Sequence, residues 1–331
     1  MPRGIPSILF ILLIVALLGL WAWSVSASHA PAAAPTALTL PAPDSSRLTV
    51  ITANIRISEP DDGPNAWPNR RELLVKTLLK YNPDLIGCQE VSPAQGAFLI
   101  KEFAPWFTHY PRAGVGTIEG EGSANNSGTS QLLGEVTASF ASLDTLFYRS
   151  DRFDQIDGTA GLVLPDQPQA NPSENTFFTQ AVLKQKSDGK LLIVINTHLR
   201  HQQQFAVNCA LKLRKNLAAA LKKYPGADCL LMGDINFDRT EAPCRALVGD
   251  PNALDGLGLL SDTFDYAHMQ PNQLYGNWHA FTGFPQRRLP TDLIFTSPGW
   301  KSQQTTEIRD AGPHGLWPSD HFFTLSQLSR P

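Results

Sequence analysis

A chain of 331 residues, 42% hydrophobic and 17% charged, is long enough to bury a sizeable core, which excludes wholesale disorder and leaves one large domain or two small ones. Its formal charge of −3 excludes a global basic field, so an anionic partner such as nucleic acid must be drawn in by a local cationic site or a bound metal. Four cysteines, Cys88, Cys209, Cys229 and Cys244, follow no metal-ligand spacing, which argues against zinc.

From Ile5 to Ala27 the chain is uncharged and apolar, with Arg3 in front of it. That pattern is membrane-directed, as a signal peptide cut after Val25-Ser26-Ala27 or as a retained signal anchor, and residues 1–27 are assigned to it. The domain is therefore expected outside the cytoplasm, secreted, periplasmic or tethered to the membrane by this segment. Residues 28–46, Ala/Pro-rich from His29 to Pro43, read as a linker to a catalytic domain at 47–331.

Arg47–Ile55 reads as a strand, Asn69–Lys80 as an amphipathic helix and Leu85–Gln89 as a second strand, a βαβ opening. Gly114–Gly134, rich in Gly, Ser and Asn, reads as a surface loop. Further strands are expected at Leu143–Tyr148, Phe177–Leu183, Leu191–Asn196, Cys229–Met232, Asp292–Thr296 and Phe322–Leu325, with a long helix at Phe205–Lys223. Many strands with few helices predict an α/β protein of two packed sheets with helices outside. An exported chain can oxidise its thiols, and a Cys209–Cys244 bridge is the pairing expected.

Polar groups gather at the strand ends. Asn54 closes the first strand, Gln89-Glu90 the second and Asn196-Thr197-His198 a middle one; Gly233-Asp234-Ile235-Asn236 follows LLM, and Ser319-Asp320-His321 precedes the last strand. Each alone is turn chemistry, but parallel strands can point all five into one crevice. Phosphoester hydrolysis needs such a set, because negative charge grows on the non-bridging and leaving oxygens and calls for a hard cation with hydrogen-bond donors. Glu90 can hold Mg²⁺ or Mn²⁺, and Asp234 can orient or deprotonate a water. Asn54, Asn236 and His198 can donate to phosphate oxygens. His321 is a general acid/base or phosphate-binding candidate, with Asp292 as its carboxylate partner.

The ordered motifs ITANIR, PDLIGCQE, DTLFYRSDRF, INTHL, LLMGDINFD, TDLIF and PSDHF, from about Leu48 to Leu325, resemble the endonuclease/exonuclease/phosphatase superfamily. Asp62-Gly63, Asn65, Trp67 and Arg70-Arg71 look like a secreted bacterial branch related to carbon catabolite repressor deadenylases and nocturnin. The resemblance implies a four-layer α/β sandwich with two packed mixed sheets, a metal set of Glu90, Asn54 and Asp320, water activation by Asp234, and an Asp292–His321 pair. It also implies that Asp320 stands beside the metal or leaving group. Two positions depart from it. Ser142 stands where relatives carry a glutamate supporting the NTH histidine, with Asp144 as the candidate replacement, and Thr176–Gln180 lacks an arginine that contacts phosphate.

Arg56, Arg112, Arg200 and His201 can border the crevice and grip a second phosphate, and Trp278, His279 and Phe281 can stack on a base or bury against the sheet. The expected function is hydrolysis of phosphodiester bonds by a monomeric extracytoplasmic endo- or exonuclease. The alternative is a phosphodiesterase or phosphatase acting on small phosphoesters or lipid headgroups, and a binding module without catalysis is the third reading.

Overall fold

The computed structural model describes residues 39–111, 143–163, 176–249, 257–270 and 273–330. The membrane-directed segment, the linker up to residue 38, the Gly114–Gly134 loop, Arg112 and Ser142 lie outside them. The chain divides into two units, Met1–Leu40 and Pro41–Pro331, and every element below belongs to the second. Among the described residues no helix is long and apolar enough to cross a membrane.

Strand β1 (Leu48–Asn54) is buried along its whole length. Helix α1 (Trp67–Lys80) starts with Pro68 in its first turn, where no amide donor is needed, and buries Leu74, Val75, Leu78 and Leu79 on one side. Strand β2 (Leu85–Val91) completes the expected βαβ unit. Helix α2 (Pro93–Phe103) is set by a capping box in which Ser92 accepts from the Gln95 amide while Gln95 accepts from the Ser92 amide. Strands β3 (Phe107–Tyr110), β4 (Leu143–Arg149), β5 (Phe153–Val163), β6 (Thr176–Gln185) and β7 (Leu191–His198) follow. Then come helix α3 (Gln203–Lys223), strand β8 (Asp228–Asp234), the short helix α4 (Ala242–Val248), and strands β9 (Ser261–Asp262), β10 (Asp292–Thr296), β11 (Lys301–Ile308) and β12 (Phe323–Ser329).

Among the described residues the strands form two six-stranded sheets, ordered β11-β12-β1-β2-β4-β3 and β5-β6-β7-β8-β10-β9. The central pairs β1–β2 and β7–β8 are parallel, and the other pairs antiparallel. Leu48, Val50, Leu85 and Tyr148 of the first sheet meet Leu192, Val194, Leu230 and Ile294 of the second in one apolar layer. On the outer side of the second sheet, Ile193, Ile195, Leu231 and Leu293 lie with Leu213 and Leu217 of α3. On the first, Phe103 of α2 meets Phe147 of β4 edge-on at 5.0 Å. Helix, sheet, sheet and helix make the four-layer sandwich that was expected.

The two sheets approach closely above β2, because Gly87 has no side chain: a Cβ there would stand 2.6 Å from Asn196 Oδ1. The expected Cys209–Cys244 bridge is not formed. All four cysteines are free, and these two pack as apolar residues in the cluster between α3 and the second sheet. Burial pushes the Cys209 thiol up to about 11, so it is a poor partner for oxidation.

Candidate active site

The strand register assembles the site. His198, the last residue of β7, pairs with Asp234, the last of β8, and Asp234 pairs with Asp292, the first of β10. Three side chains on adjacent strands thus stand in one row at the carboxyl ends of the parallel pair. In the facing sheet, Asn54 ends β1 and Glu90 lies near the end of β2. Antiparallel β12 starts at the same end, so the turn before it delivers Asp320 and His321.

Three of these loops use backbone that side-chain-bearing residues rarely adopt: Arg56, Glu90 and Asn236 have φ of 57°, 60° and 60°. At Glu90 the cause is visible, since the β2–β4 register shifts between Cys88 and Val91 and the bulge turns Glu90 out of the ladder toward the crevice. Non-glycine residues held in this region cluster at functional sites.

The polar groups form one network. Asn54 Nδ2 donates to Glu90 Oε1 and to Asp234 Oδ2, each at 3.0 Å, and its Oδ1 accepts from the Arg56 amide. The Ile57 amide donates to Glu90 Oε2 at 2.9 Å. Burial alone would raise the Glu90 carboxyl, but His198, these two donors and His321 hold it at about 2. Asn236 Nδ2 donates to the Leu199 carbonyl at 2.6 Å and lies 3.0 Å from His198 Nε2. The first bond fixes which end of the amide is nitrogen, so the other Nδ2 hydrogen faces His198 Nε2. Burial lowers the His198 pKa, against the pull of Asp234 and Glu90. An amide nitrogen carries two hydrogens, and both are used in Asn54 and in Asn236. A phosphate oxygen must displace a protein partner to reach either amide nitrogen.

Asp292 and His321 meet as expected, with Nδ1 3.0 Å from Asp292 Oδ2 and both side chains buried. His321 Nε2 then faces Asp234 Oδ2 at 3.9 Å. Burial opposes charge on His321, yet Asp292, Asp234 and Asp320 outweigh it and push its pKa up. Burial and the Asp234 carboxylate push Asp292 up too.

Two residues anchor these loops, Asn277, which no motif marked, and Arg70, which the sequence marked only as part of the branch motif. Buried Asn277 accepts from the Thr291 and Asp292 amides, each at 2.9 Å, and donates to the Phe322 carbonyl and Thr324 Oγ1, tying the Asp292 turn to the His321 turn. It lies one residue before the Trp278 singled out above, but nothing local marks it. Arg70 donates to the carbonyls of Asn65, Ile55, Pro318 and Arg56, clamping the loops that carry Arg56 and Asp320. Ser319 Oγ donates to the Asn54 carbonyl at 2.7 Å.

The flanking residues divide. Arg56 is held by Asp62 through Nε and Nη2 at 3.3 and 3.1 Å, with Nε 4.0 Å from Asp320 Oδ2. Arg200 lies close enough to Asp144 and His198 to act on both electrostatically, while His201 is exposed. Burial raises the Asp144 carboxyl well above its ordinary value, with Arg200 and the His198 backbone opposing the shift. His279 is fully buried, stacked on Phe322 at 4.1 Å, and burial lowers its pKa to about 3; it is a core residue. Trp278 is 44% exposed and bridges to His321, and Phe284 on the same loop is 74% exposed. Phe281 is half-buried beside Arg70.

The donor set fits a hard divalent cation. Four carboxylates, Glu90, Asp234, Asp292 and Asp320, converge on few cations, and Asp292 Oδ1 is buried with no hydrogen-bond partner among the described residues. Ligand atoms of Asp234, Asp292 and His321 lie within 4.8 Å of one another, close enough to hold an ion.

A model of the endonuclease/exonuclease/phosphatase family matches residues 51–321. Among solved structures, the chain is similar to a Bacteroides thetaiotaomicron mannosyl-6-phosphatase, with 20% identity over 85% of this chain and 99% of that one and a TM-score of 0.63. The human nocturnin catalytic domain with bound sulfate anion has 17% identity, covering 86% of this chain and 94% of that one, with a TM-score of 0.62. D. rerio TDP2 complexed with single-strand DNA product has 18% identity, covering 86% and 99%, with a TM-score of 0.56. No curated protein matches the chain by sequence.

Proposed function

This chain belongs to the endonuclease/exonuclease/phosphatase family, whose members are metal-dependent phosphoesterases, and from that premise we propose that it hydrolyses phosphodiester bonds of nucleic acid outside the cytoplasm. The observation that carries the hydrolytic reading is the row His198–Asp234–Asp292 with His321 bonded behind it, facing Glu90 across the two sheets.

Each residue then has a role. Asp234 orients the attacking water and receives its proton, with Asn54 fixing the carboxylate that does so. His198 and Asn236 border the same carboxylate, at 3.4 Å for His198 Nε2, and shape the water's seat. Asp292 holds Nδ1 of His321, leaving Nε2 to meet a phosphate oxygen. Asp320 stands on the opposite wall with Arg56, where the leaving group would depart. Glu90, with Asp320 and Asn54, would hold Mg²⁺ or Mn²⁺. Such an ion supplies charge neutralisation at the phosphoryl oxygens.

Nucleic acid is favoured by the exposed rings of Trp278 and Phe284, which suit stacking of a base. A small phosphoester is the second reading, favoured by the Asp62 grip on Arg56, which removes one cation from a longer strand. The Ile5–Ala27 segment supports export of the domain, as a monomer released or tethered by that segment.

Turnover on plasmid DNA and single-stranded RNA, set against sphingomyelin, phosphoinositides, mannose 6-phosphate and a chromogenic phosphodiester, tests the substrate. Cleavage of either polynucleotide supports the reading, and activity confined to the small esters replaces it with the second. A reporter fused after Pro331 that works only in the cytoplasm contradicts export.

A further inference from the structure

Asp292 and His321 come from different sheets: Asp292 opens β10 in the second, and His321 stands in the turn that enters β12 in the first. The apolar layer between the sheets is non-directional, so it does not set a hydrogen-bond distance across them. The 3.0 Å contact of His321 Nδ1 with Asp292 Oδ2 therefore needs a directional tie that spans the gap.

Asn277 has that geometry. Its backbone runs beside the His321 turn, where its carbonyl accepts from the Phe322 amide at 2.9 Å and the next residue, Trp278, bridges to His321. Its side chain reaches the other sheet, where Oδ1 accepts from the Thr291 and Asp292 amides. Nδ2 turns back to the Phe322 carbonyl and to Thr324 Oγ1, at 3.1 and 3.0 Å. Thr324 Oγ1 in turn donates to the Asp292 carbonyl at 2.7 Å. Asn277, Thr324 and Asp292 thereby close a hydrogen-bonded ring across the sheets, and all three are fully buried. Both amide hydrogens and both lone pairs of Asn277 are used. An aspartate would lose both donors, and a leucine would lose the donors and the acceptors alike.

We propose that Asn277 is a positioning residue, which holds the two sheets at the spacing that lets Asp292 orient the His321 ring toward a phosphate oxygen. Its effect on turnover rests on the hydrolytic reading above; its effect on the Asp292–His321 bond does not. A displacement of about 1 Å at such a pair can cost on the order of a hundredfold in rate although the displaced group never touches the substrate.

Two readouts on the full chain keep these apart. In proton NMR without substrate, the wild type should show a downfield resonance that is absent from His321→Ala, the Nδ1 hydrogen held by Asp292. Asn277→Ala should lose or strongly broaden that resonance, and on a chromogenic phosphodiester in Mg²⁺ it should lower kcat about tenfold or more with KM within about twofold. Added to His321→Ala, it should cost no more than about threefold further, because both substitutions remove the same pair. Thr324→Val, which keeps the strand's branched shape and deletes only the hydroxyl in the ring, should weaken the resonance and lower kcat in the same sense. It decides the matter by the same readouts if Asn277→Ala does not fold. A wild type that turns over no phosphoester, with the resonance present and lost in Asn277→Ala, would overturn the hydrolytic reading and uphold the positioning role. Absence of the resonance in the wild type, its persistence in the folded variants, or a kcat loss that adds in full to that of His321→Ala overturns the proposal.

Discussion

The two ends of the sheet sandwich both bury charge, and they treat it oppositely. At the amino ends of β1 and β2, Arg152 Nη1 meets Asp84 Oδ2 at 2.8 Å, both side chains buried, and the Thr49 amide donates to the same oxygen at 2.7 Å. Arg152 also donates to the carbonyls of Asp44 and Arg47, and Arg149 reaches Pro41, Asn82 and Asp151. That end matches carboxylate to guanidinium and secures the chain just before β1. At the carboxyl ends Glu90, Asp234, Asp292 and Asp320 share one crevice, and the guanidinium contact to this set among the described residues is Arg56 with Asp320 at 4.0 Å; an unpaired carboxylate oxygen occurs at both ends, Asp84 Oδ1 and Asp292 Oδ1. Buried charge that is matched holds a fold together. Buried charge left in excess marks where a cation and a substrate belong.

Asp292→Asn and His321→Ala are each expected to lower turnover by about a hundredfold or more with little change in melting temperature. The double variant should be little worse than either single one, because the two act through one hydrogen bond. Additive losses in a double-mutant cycle would remove Asp292 from the catalytic set and leave it a strand-end residue.

The opposite end should respond the other way. Arg152→Met strands the Asp84 carboxylate, whose pKa burial already raises, and should cost about 3–5 kcal/mol of stability, read as an earlier urea midpoint, with turnover of the folded fraction intact. An active-site loss larger than the stability loss would contradict the division between the two ends.

Much of the site was legible because each contributing strand is an apolar run that stops at a polar residue, and register then does the rest: TVITAN, LLIVINTH and LLMGD end on Asn54, His198 and Asp234. What escaped was whatever depends on partners distant in sequence. Strand β11, KSQQTTEI, is polar because it is an edge strand, so no apolar pattern announced it, and β5 is an edge strand of the same kind. Helix α2 carries its capping box in plain sequence at Ser92 and Gln95 and was legible in principle. Asn277 and Arg70 bind backbone groups contributed by several loops, which no local pattern encodes.

A smaller effect sharpens the boundary of the site. Glu307 on β11 is buried, and burial raises its carboxyl to about 7 although Arg309 opposes the shift. A carboxyl whose folded pKa lies above its ordinary 4.5 adds stability that is fully present below pH 4.5 and lost as the pH rises through about 7. Glu307→Gln should therefore gain roughly 1–3 kcal/mol relative to the wild type at pH 8 and nothing at pH 4, measured by denaturant unfolding at the two values. A gain that is equal at both would show that the carboxylate is not desolvated.

On the proposed function, the carboxylates at the strand ends hold a divalent cation at a phosphoester. Calorimetric titration of Mg²⁺ or Mn²⁺ into the EDTA-stripped wild type and Glu90→Gln, with phosphodiesterase turnover followed on the same samples, tests it most directly. Saturable binding and restored turnover are expected in the wild type, and loss of most affinity and activity in Glu90→Gln with unchanged melting. Full activity in excess EDTA would contradict it.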